Sequence, residues 1–239
     1  MTEESYPRLI ALAVHELRTP ASVVGGYLRM LQRDTDEPLG ERQRRMVEEA
    51  EKSCARLVSL IAALSEVAKF DEGSISMSTT ETDLFPLVAE VADGVHEAAD
   101  RDVRLEVHGD TSGAIIKGDE QRLRPAFAAL FQAILREKVG PCTVVVDRRK
   151  ELNRDSNSAV IIVAEADAVQ AAYKAPVGRF DEKRGGVGLS LALARRVIEA
   201  HRGRLWSPAD RESSPPSSFD PRAARGTALV AIPLSGAER

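Results

Sequence analysis

The stretch Val14-His15-Glu16-Leu17-Arg18-Thr19-Pro20 brings an imidazole, a carboxylate and a hydroxyl together within one short segment of predicted helix. Residues i and i+4 lie on the same face of a helix, so we expect His15 and Thr19 side by side and Glu16 close to the ring. A neutral imidazole nitrogen can accept a phosphoryl group near pH 7, and Glu16 can take the proton that leaves the ring. Thr19 can hold a water for the reverse hydrolysis. The stretch therefore predicts a site that moves a phosphoryl group on and off His15.

Two amphipathic helices are predicted around this stretch. Residues 5–33 and 41–70 have the apolar periodicity of helices, and the polar segment 34–40 predicts a turn between them. Because a lone pair of helices cannot bury a whole apolar seam, we expect a homodimer that forms an antiparallel four-helix bundle, with one two-helix hairpin from each chain. The alternative is that the seam packs against the second domain of the same chain. The seam of the second helix alternates steps of four and three residues at Ala50, Cys54, Leu57, Ile61, Leu64 and Ala68.

The pattern changes near residue 75, which divides the chain into a helical domain, 1–75, and a second domain, 76–239. The second domain is predicted to run in the order αββαββαβ with mostly hairpin-joined strands, which favours a two-layer α/β sandwich. The segment 207–225 is rich in Ser, Pro and charge and predicts a mobile surface loop. The predicted helices of this domain are 84–99, 120–137 and 188–201, and the predicted strands are 103–107, 114–117, 143–148, 159–164 and 227–233, with 150–157 as a hairpin connection.

The composition is that of a globular protein with 239 residues, of which 43% are hydrophobic and 29% charged. A net charge of -4 and a pI near 5.7 give no support for binding to nucleic acid or to a membrane surface. The longest aliphatic run, 159–164, is far shorter than the ~20 residues that a membrane-spanning helix needs. We expect a cytoplasmic protein with no membrane segment, in which Cys54 and Cys142 are reduced core residues.

The opening stretch resembles the H-box (HELRTP) of two-component sensor histidine kinases. The resemblance implies that His15 is the phosphoacceptor, that Glu16 is its general base, and that the partner is the receiver domain of a response regulator. Glu16 and Thr19 are also similar to the phosphatase pattern of the family, E-x-x-T, in which Thr19 would position the water. Under this resemblance no sensor region lies ahead of His15, which implies either that the signal arrives by docking of a separate sensor or kinase, or that the sequence is a shortened form from which a sensor region has been removed.

The second domain resembles the ATP-binding domain of this family, which shares its fold with gyrase and Hsp90. Gly185-Gly186-Val187-Gly188-Leu189-Ser190-Leu191 looks like the second glycine box of the family, in which backbone N–H groups close on phosphate oxygens. The continuation 194–205 also follows the family pattern. Gly226-Thr227 looks like the final glycine motif, and Phe180 lies where the family has a phenylalanine in its lid. The resemblance thus implies ATP-binding roles for Gly185, Gly186, Gly188 and Thr227.

The helix 120–137 departs from the family at its magnesium ligand. The family pattern has two asparagines here, and the alignment places Ala129 and Ala133 at their positions. The second asparagine should help to hold Mg²⁺ with its side-chain oxygen, and Ala133 offers no oxygen. Arg136 falls at the phosphate-contacting lysine of the family and could still neutralise charge. We therefore expect no intact metal site.

The adenine-reading motif also departs from the family pattern. After the strand 159–164 the family has DxGxG, whereas this chain has Glu165 in place of the aspartate, and Asp167 and Val169 in place of the glycines. The longer side chain of Glu165 would enter the adenine site, and Val169 adds bulk where backbone should approach the ligand. A shifted register would make Asp167 the adenine reader but would still lack the glycines. ATP-binding motifs of this domain therefore look degenerate.

Three functions remain open from the sequence. The first is a phosphotransferase or phosphatase in which His15 exchanges a phosphoryl group with an aspartate of a response regulator, while autophosphorylation from ATP is weak or lost. The second is an active but divergent histidine autokinase that uses ATP and Mg²⁺. The third is a non-catalytic dimeric adaptor that docks a response regulator. The cofactors are ATP and Mg²⁺ under the second hypothesis and none under the third.

Overall fold

The structure is a computed structural model, and it describes residues 5–96, 99–152, 157–212 and 219–236. The chain divides into two compact units, Met1–Ile75 and Ser76–Arg239. Each unit has its own secondary structure and its own internal contacts. Within the described ranges, none of the helices combines the length and the apolar character that crossing a membrane requires.

The first unit is a hairpin of two long helices, α1 (Ser5–Arg33) and α2 (Glu41–Asp71), which pack against each other. The turn between them is held by side chains that bond to the backbone. The carboxylate of Asp34 accepts hydrogen bonds from two backbone N–H groups of the turn, and the side chain of Gln43 accepts one from Gly40 at 3.0 Å. These bonds satisfy donors that the start of α2 would otherwise leave unpaired. The predicted two-helix hairpin is confirmed.

A close approach between α1 and α2 centres on Gly25 and Cys54. A Cβ atom on Gly25 would lie 3.3 Å from the Cys54 sulfur, so the absence of a side chain lets the two helices meet here. The thiol of Cys54 donates to the carbonyl of Ala21 at 3.2 Å. Cys54 is buried, as the sequence predicts, and its reduced thiol fills the contact as a small apolar group.

One hairpin leaves much apolar surface uncovered. Of the predicted seam, Cys54, Ile61 and Ala68 are buried, whereas the side chain of Leu57 is 55% exposed. Rows of large apolar side chains on both helices face solvent in the single chain, which is unusual for a stable surface. The exposed residues are Leu9, Leu12, Leu17, Val23, Val24, Tyr27, Met30, Leu31, Met46, Leu57 and Val58.

The second unit contains a six-stranded mixed sheet and a separate two-stranded one. The strand order of the large sheet is β2-β4-β5-β8-β7-β6, in which β2 and β4 are parallel and the other pairs are antiparallel. The two-stranded sheet pairs β1 with β3. The strands are β1 (Thr80–Asp83), β2 (Val103–Gly109), β3 (Ile115–Gly118), β4 (Cys142–Leu152), β5 (Asn157–Glu165), β6 (Val177–Gly178), β7 (Arg204–Pro208) and β8 (Ala228–Pro233).

Helices cover the large sheet and complete the core. Helix α4 contacts α3, α6 and β5, and α6 also contacts β7. A second apolar cluster joins the alternate residues Val145, Ile162 and Leu229 of the sheet to Ala172 and Ala224 of two short helices. Strand β5 is therefore buried along nearly its whole length, which explains its continuous apolar run. The helices are α3 (Leu84–Asp93), α4 (Glu120–Glu137), α5 (Val169–Lys174), α6 (Ser190–Ala200) and α7 (Pro221–Arg225).

Several predicted boundaries are wrong in the second unit, although the fold class is confirmed. The predicted helix 84–99 ends at Asp93, with Gly94 as the residue that follows its last turn. The predicted mobile loop 207–225 instead begins within β7 and ends with α7, and Phe219 is buried in the core at 5% exposure. The middle of that loop, 213–218, lies outside the described residues, as does 153–156 of the predicted hairpin connection.

Candidate functional site

The cluster around His15 lies on the exposed surface of α1. The side chain of His15 is 81% exposed and that of Glu16 is 71% exposed, and the Nδ1 atom of the ring lies 3.3 Å from Oε1 of Glu16. Thr19 is exposed one turn further along the same helix. Val14, the residue before His15, is buried at 4% exposure. The helix thus presents the imidazole, the carboxylate and the hydroxyl to solvent, with Glu16 on the Nδ1 side of the ring.

The glycine-rich motif forms a tight segment, residues 184–188, which we call the glycine segment. Gly185, Gly186 and Gly188 have φ angles of 64°, 60° and 64°, the left-handed region that favours glycine. A Cβ atom on Gly185 would lie 2.6 Å from the carbonyl oxygen of Ala133. The glycine segment therefore rests directly on α4 at Ala133, the position where the sequence predicts that a magnesium ligand is missing. Ala133 is fully buried.

Glu137, at the end of α4, binds the backbone of the glycine segment. Its Oε1 atom accepts a hydrogen bond from the N–H of Gly185 at 2.6 Å. Its Oε2 atom lies 3.0 Å from Nε of Arg225, and another guanidinium nitrogen of Arg225 lies 3.3 Å from the carboxylate of Asp181. The side chain of Glu137 is only 18% exposed. The carboxylate of Glu137 thus accepts the hydrogen bond from one backbone N–H of the glycine segment, that of Gly185.

Arg184, the first residue of the glycine segment, is buried at 1% exposure. Its guanidinium donates to the carbonyl of Asp181 at 2.8 Å, to the carbonyl of Thr227 at 3.1 Å and to the hydroxyl of Ser207 at 2.9 Å. It also donates to the carbonyl of Arg225. Burial lowers the pKa of Arg184 to about 10, so the group stays charged at neutral pH and depends on these acceptors.

Phe180 lies between two guanidinium groups. The guanidinium carbon of Arg184 is 4.0 Å from the centre of the Phe180 ring, and that of Arg195 is 5.7 Å away. Phe180 is buried at 2% exposure, and Arg195 forms an ion pair with Glu182. Stacking of a cation on an aromatic face is favourable and is stronger when the pair is desolvated. Phe180 therefore anchors the segment that leads into the glycine segment, while its neighbours Arg179 and Lys183 are exposed.

The predicted adenine reader, Glu165, forms an ion pair with a buried lysine. Nζ of Lys138 lies 3.0 Å from Glu165 and donates to the carbonyl of Gly226 at 2.9 Å. Lys138 is 6% exposed, so its charge is compensated inside the unit. A cavity of about 410 Å³ opens beside the pair, and Arg222 and Asp220 add further charges to its lining. The lining also includes Val139, Pro141 and Ala223, so charged and apolar side chains share the wall of this cavity.

Of the other predicted nucleotide contacts, Thr227 lies beside Arg184 of the glycine segment, whereas Arg136 and Asp167 are exposed. The hydroxyl of Thr227 donates to the carbonyl of Ala223 at 2.9 Å, and the residue is buried. The side chain of Arg136 is exposed on the last turn of α4, and Asp167 is exposed in the turn after β5. Among the described residues, no group of three or more His, Cys, Asp or Glu side chains could hold a metal ion.

Sequence reasoning located the glycine segment but missed Glu137, Lys138 and Arg184. Each of these residues is charged and largely buried, and each bonds to backbone from a distant part of the chain. The sequence did hold a sign of their importance, because these charged residues lie next to predicted nucleotide contacts. Glu137 and Lys138 follow Arg136 directly, and Arg184 immediately precedes Gly185. Only the tertiary structure shows which acceptors these charges reach.

Known proteins resemble the chain over both units. The sequence model of the His Kinase A (phospho-acceptor) domain matches residues 8–73. The probable sensor histidine kinase TcrY of Mycobacterium tuberculosis is 28% identical over 216 residues, which cover 85% of this chain and 43% of TcrY. The signal transduction histidine-protein kinase BaeS of Escherichia coli is 28% identical over 198 residues, which cover 80% of this chain and 41% of BaeS. The chain thus spans less than half the length of these two relatives.

Solved structures share the fold. Full-length ShkA, crystallised with AMPPNP, superposes with a TM-score of 0.68 at 20% identity, over 95% of this chain and 46% of ShkA. The histidine kinase ThkA, crystallised with the response regulator protein TrrA, superposes with a TM-score of 0.54 at 18% identity, over 97% of this chain and 63% of ThkA. A helical hairpin followed by a mixed α/β unit is therefore an architecture that histidine kinases use.

Proposed function

Because the chain belongs to the two-component sensor histidine kinase family, we propose that His15 carries a phosphoryl group that it exchanges with an aspartate of a response-regulator receiver domain. The observation that carries this proposal is the geometry at α1. The imidazole of His15 is 81% exposed, so a partner can reach it, and a carboxylate lies 3.3 Å from one ring nitrogen. The activity is then that of a phosphotransferase, and the direction of transfer depends on which partner is phosphorylated.

The arrangement of His15 and Glu16 favours attack by Nε2. With the ring proton on Nδ1, the carboxylate of Glu16 accepts it, and the lone pair of Nε2 stays free. Nε2 forms a bond to phosphorus while the bond from phosphorus to the aspartate oxygen breaks, and the aspartate leaves as a carboxylate. The proton on Nδ1 then moves to Glu16, which leaves a neutral phosphoimidazole. Transfer to the regulator runs through the same steps in reverse.

The direct test uses a receiver domain labelled with ³²P on its aspartate. We expect the label to appear on the full-length chain, and we expect His15→Gln to abolish it with no change in melting temperature, because the side chain is exposed. His108→Gln is a matched control, since His108 also pairs with a glutamate, Glu106 at 3.1 Å, and is also exposed. Label that persists in His15→Gln would refute the assignment, and signalling that is unchanged by this variant would favour the adaptor hypothesis.

We further propose that autophosphorylation from ATP is weak or lost. The support comes from the second unit: Ala133 supplies no oxygen ligand, Gly185 packs against it, and Glu165 is engaged by Lys138. Phosphoryl transfer from ATP depends on positioning and on charge neutralisation by a metal, so these changes act on the rate-determining features. Incubation with γ-³²P-ATP and Mg²⁺ should leave His15 unlabelled. Stoichiometric labelling would establish the alternative, an active divergent autokinase.

Glu16 and Thr19 also suit dephosphorylation of a bound regulator. Thr19 lies one turn beyond His15 on the exposed face of α1, where its hydroxyl can orient a water towards a phosphoaspartate that sits above the ring. The water attacks phosphorus, the bond to aspartate breaks, and inorganic phosphate leaves. This reaction needs no nucleotide and would occur at the same surface as phosphotransfer.

We propose that the hairpin functions as a homodimer that docks the regulator below His15. The apolar rows that include Leu12, Val24 and Leu57 are uncovered in the single chain, and a second hairpin of the same kind would bury them in a four-helix bundle. The regulator is expected to bind α1 near Val23 and Tyr27, two turns and three turns from the imidazole. Both side chains are at least half exposed, Val23 at 50% and Tyr27 at 64%.

A further inference from the structure

The glycine segment holds an anion that belongs to the chain itself. Backbone N–H groups in glycine-rich turns bind anions because several donors can point at one negatively charged group. Here the N–H of Gly185 donates to Oε1 of Glu137 at 2.6 Å. The bond is short and the carboxylate is only 18% exposed, so this donor is occupied by a charged acceptor of the same unit.

We propose that the Glu137 carboxylate takes the place of a phosphate at Gly185, and that the second unit thereby keeps this donor of the glycine segment occupied by a group of its own. The proposal rests on the proposed function only in its assignment of the glycine segment to a nucleotide-type site. An incoming phosphate would have to displace Glu137 from Gly185 before it could reach the same donor. Glu137 is thus a residue that determines whether the site accepts an anion.

The charges around Glu137 are balanced without a ligand. Arg225 contributes a cation that bridges Glu137 at 3.0 Å and Asp181 at 3.3 Å. The guanidinium of Arg184, the neighbour of Gly185, donates its hydrogen bonds to carbonyl and hydroxyl oxygens, including the carbonyl of Thr227 and the hydroxyl of Ser207. A phosphate that entered this network would meet two carboxylates and would find both nearby guanidinium groups engaged. Repulsion between like charges at such distances disfavours binding of the anion.

Packing against α4 also fixes the position of Gly185. Gly185 lies so close to α4 that even a methyl group would come within 2.6 Å of the carbonyl oxygen of Ala133. The glycine segment is thus held at two adjacent points of one helix, by contact at Ala133 and by the hydrogen bond from Glu137. Removal of the carboxylate leaves the contact in place, frees the Gly185 donor and releases Arg225 from one of its two carboxylates, so that the donor and the cation together form an anion site.

The test measures the melting temperature and the amide hydrogen exchange of the full-length chain with and without pyrophosphate, at matched ionic strength. We expect Glu137→Ala to melt several degrees lower than the wild type and to exchange faster in peptides that cover 184–188. Millimolar pyrophosphate should reverse at least half of both effects in Glu137→Ala, because a ligand that binds only the folded state stabilises it. The wild type should not respond to pyrophosphate or to ATP with Mg²⁺.

Glu120→Ala is the matched control. Glu120 lies on the same helix and also forms an ion pair, with Arg124, but it is about 25 Å from Glu137 along α4 at 1.5 Å per residue. This variant should leave exchange at 184–188 unchanged and should not respond to pyrophosphate. If the wild type binds pyrophosphate as well as Glu137→Ala does, or if exchange at 184–188 is the same in both, the proposal is wrong.

Glu137→Gln covers the case in which the alanine variant does not fold. Its amide oxygen can still accept the bond from Gly185, but it carries no charge, so pyrophosphate should stabilise this variant more than the wild type. A glutamine variant that responds no more than the wild type would refute the proposal. Phosphotransfer at His15 is scored in a separate assay on the same proteins. A chain with the predicted pyrophosphate response but without transfer would overturn the proposed function and leave this inference intact.

Discussion

At the scale of single residues, His201 shows how one buried side chain joins two segments of the second unit. Its Nε2 atom accepts a hydrogen bond from the backbone N–H of Asp119 at 2.8 Å, and its Nδ1 atom donates to the carbonyl of Val197 at 2.6 Å. The ring therefore connects the start of α4 with the end of α6, and it can do so only as the neutral tautomer with the proton on Nδ1. Burial lowers the pKa of His201 below its ordinary value.

This lowered pKa predicts an acid-sensitive stability. In the unfolded chain this histidine takes up a proton at its ordinary pKa, about 6.5, whereas in the folded chain it does so only at lower pH. The contribution of His201 to the free energy of unfolding is therefore largest above about pH 6.5 and decreases as the pH falls below that value. We expect the melting temperature to decline between pH 7 and pH 5.5. His201→Asn should be less stable at pH 7 but should show a smaller decline. An equal decline in both proteins would assign the pH dependence to other groups.

The sequence predicted the arrangement of the side chains around His15 much better than the side-chain contacts of the second unit. His15, Glu16 and Thr19 lie on one exposed stretch of α1, and local helical periodicity is enough to bring them together. The contacts of Glu137 and Arg184 depend on pairing between α4, the glycine segment and β8, which no local pattern contains. Long-range packing of this kind has to be observed.

At the scale of elements, the contact between α4 and the glycine segment opposes any attempt to restore a metal ligand by a single substitution at Ala133. Ala133 is fully buried, and the backbone of Gly185 occupies the space in front of it. An asparagine at this position would introduce a larger polar side chain into a filled space with no ready partner. The predicted absence of a metal ligand and the position of the glycine segment therefore involve the same contact, between Ala133 and Gly185.

We therefore predict that Ala133→Asn does not recover binding of ATP with Mg²⁺. The variant should be destabilised by about 1–3 kcal/mol, because the added volume and the unpaired amide both oppose folding. Isothermal titration calorimetry and urea denaturation of the full-length chain measure the two effects. A variant that binds Mg²⁺ and ATP with micromolar affinity at wild-type stability would show that the space in front of α4 opens readily. Ala62→Asn, at an exposed position of α2, is the control for the substitution itself.

Elements were predicted well where their periodicity is long and less well where they are short. The sequence predicted α1, α2 and α4 with ends within a residue of those observed, because capping residues and breaks in polarity mark them. It missed β7, β6 and α7, since each has few residues and lies in a stretch of mixed polar composition. Phe219 was the available signal: a large aromatic side chain in a polar segment favours a buried anchor.

At the scale of the whole molecule, the uncovered apolar rows of the hairpin predict assembly. Leu57 is 55% exposed in the single chain, so Leu57→Glu should leave the hairpin folded but should place a charge inside a four-helix bundle. We expect light scattering after size-exclusion chromatography to show a dimer for the wild type and a monomer for Leu57→Glu. Leu152→Glu, at a side chain that is 69% exposed in the second unit, should remain dimeric. A wild type that is monomeric at micromolar concentration would exclude the bundle.

The division of the chain at Ile75 and Ser76 has a consequence for how such proteins change over generations. The two units are separately compact, and the apolar cluster around Ile162 and Leu229 lies within the second, so substitutions that alter the ligand preference of the second unit act on its own packing. Drift can then erase nucleotide chemistry from one half while selection preserves the histidine surface on the other. Descendants of a full kinase can in this way become relay components without passing through an unfolded ancestor.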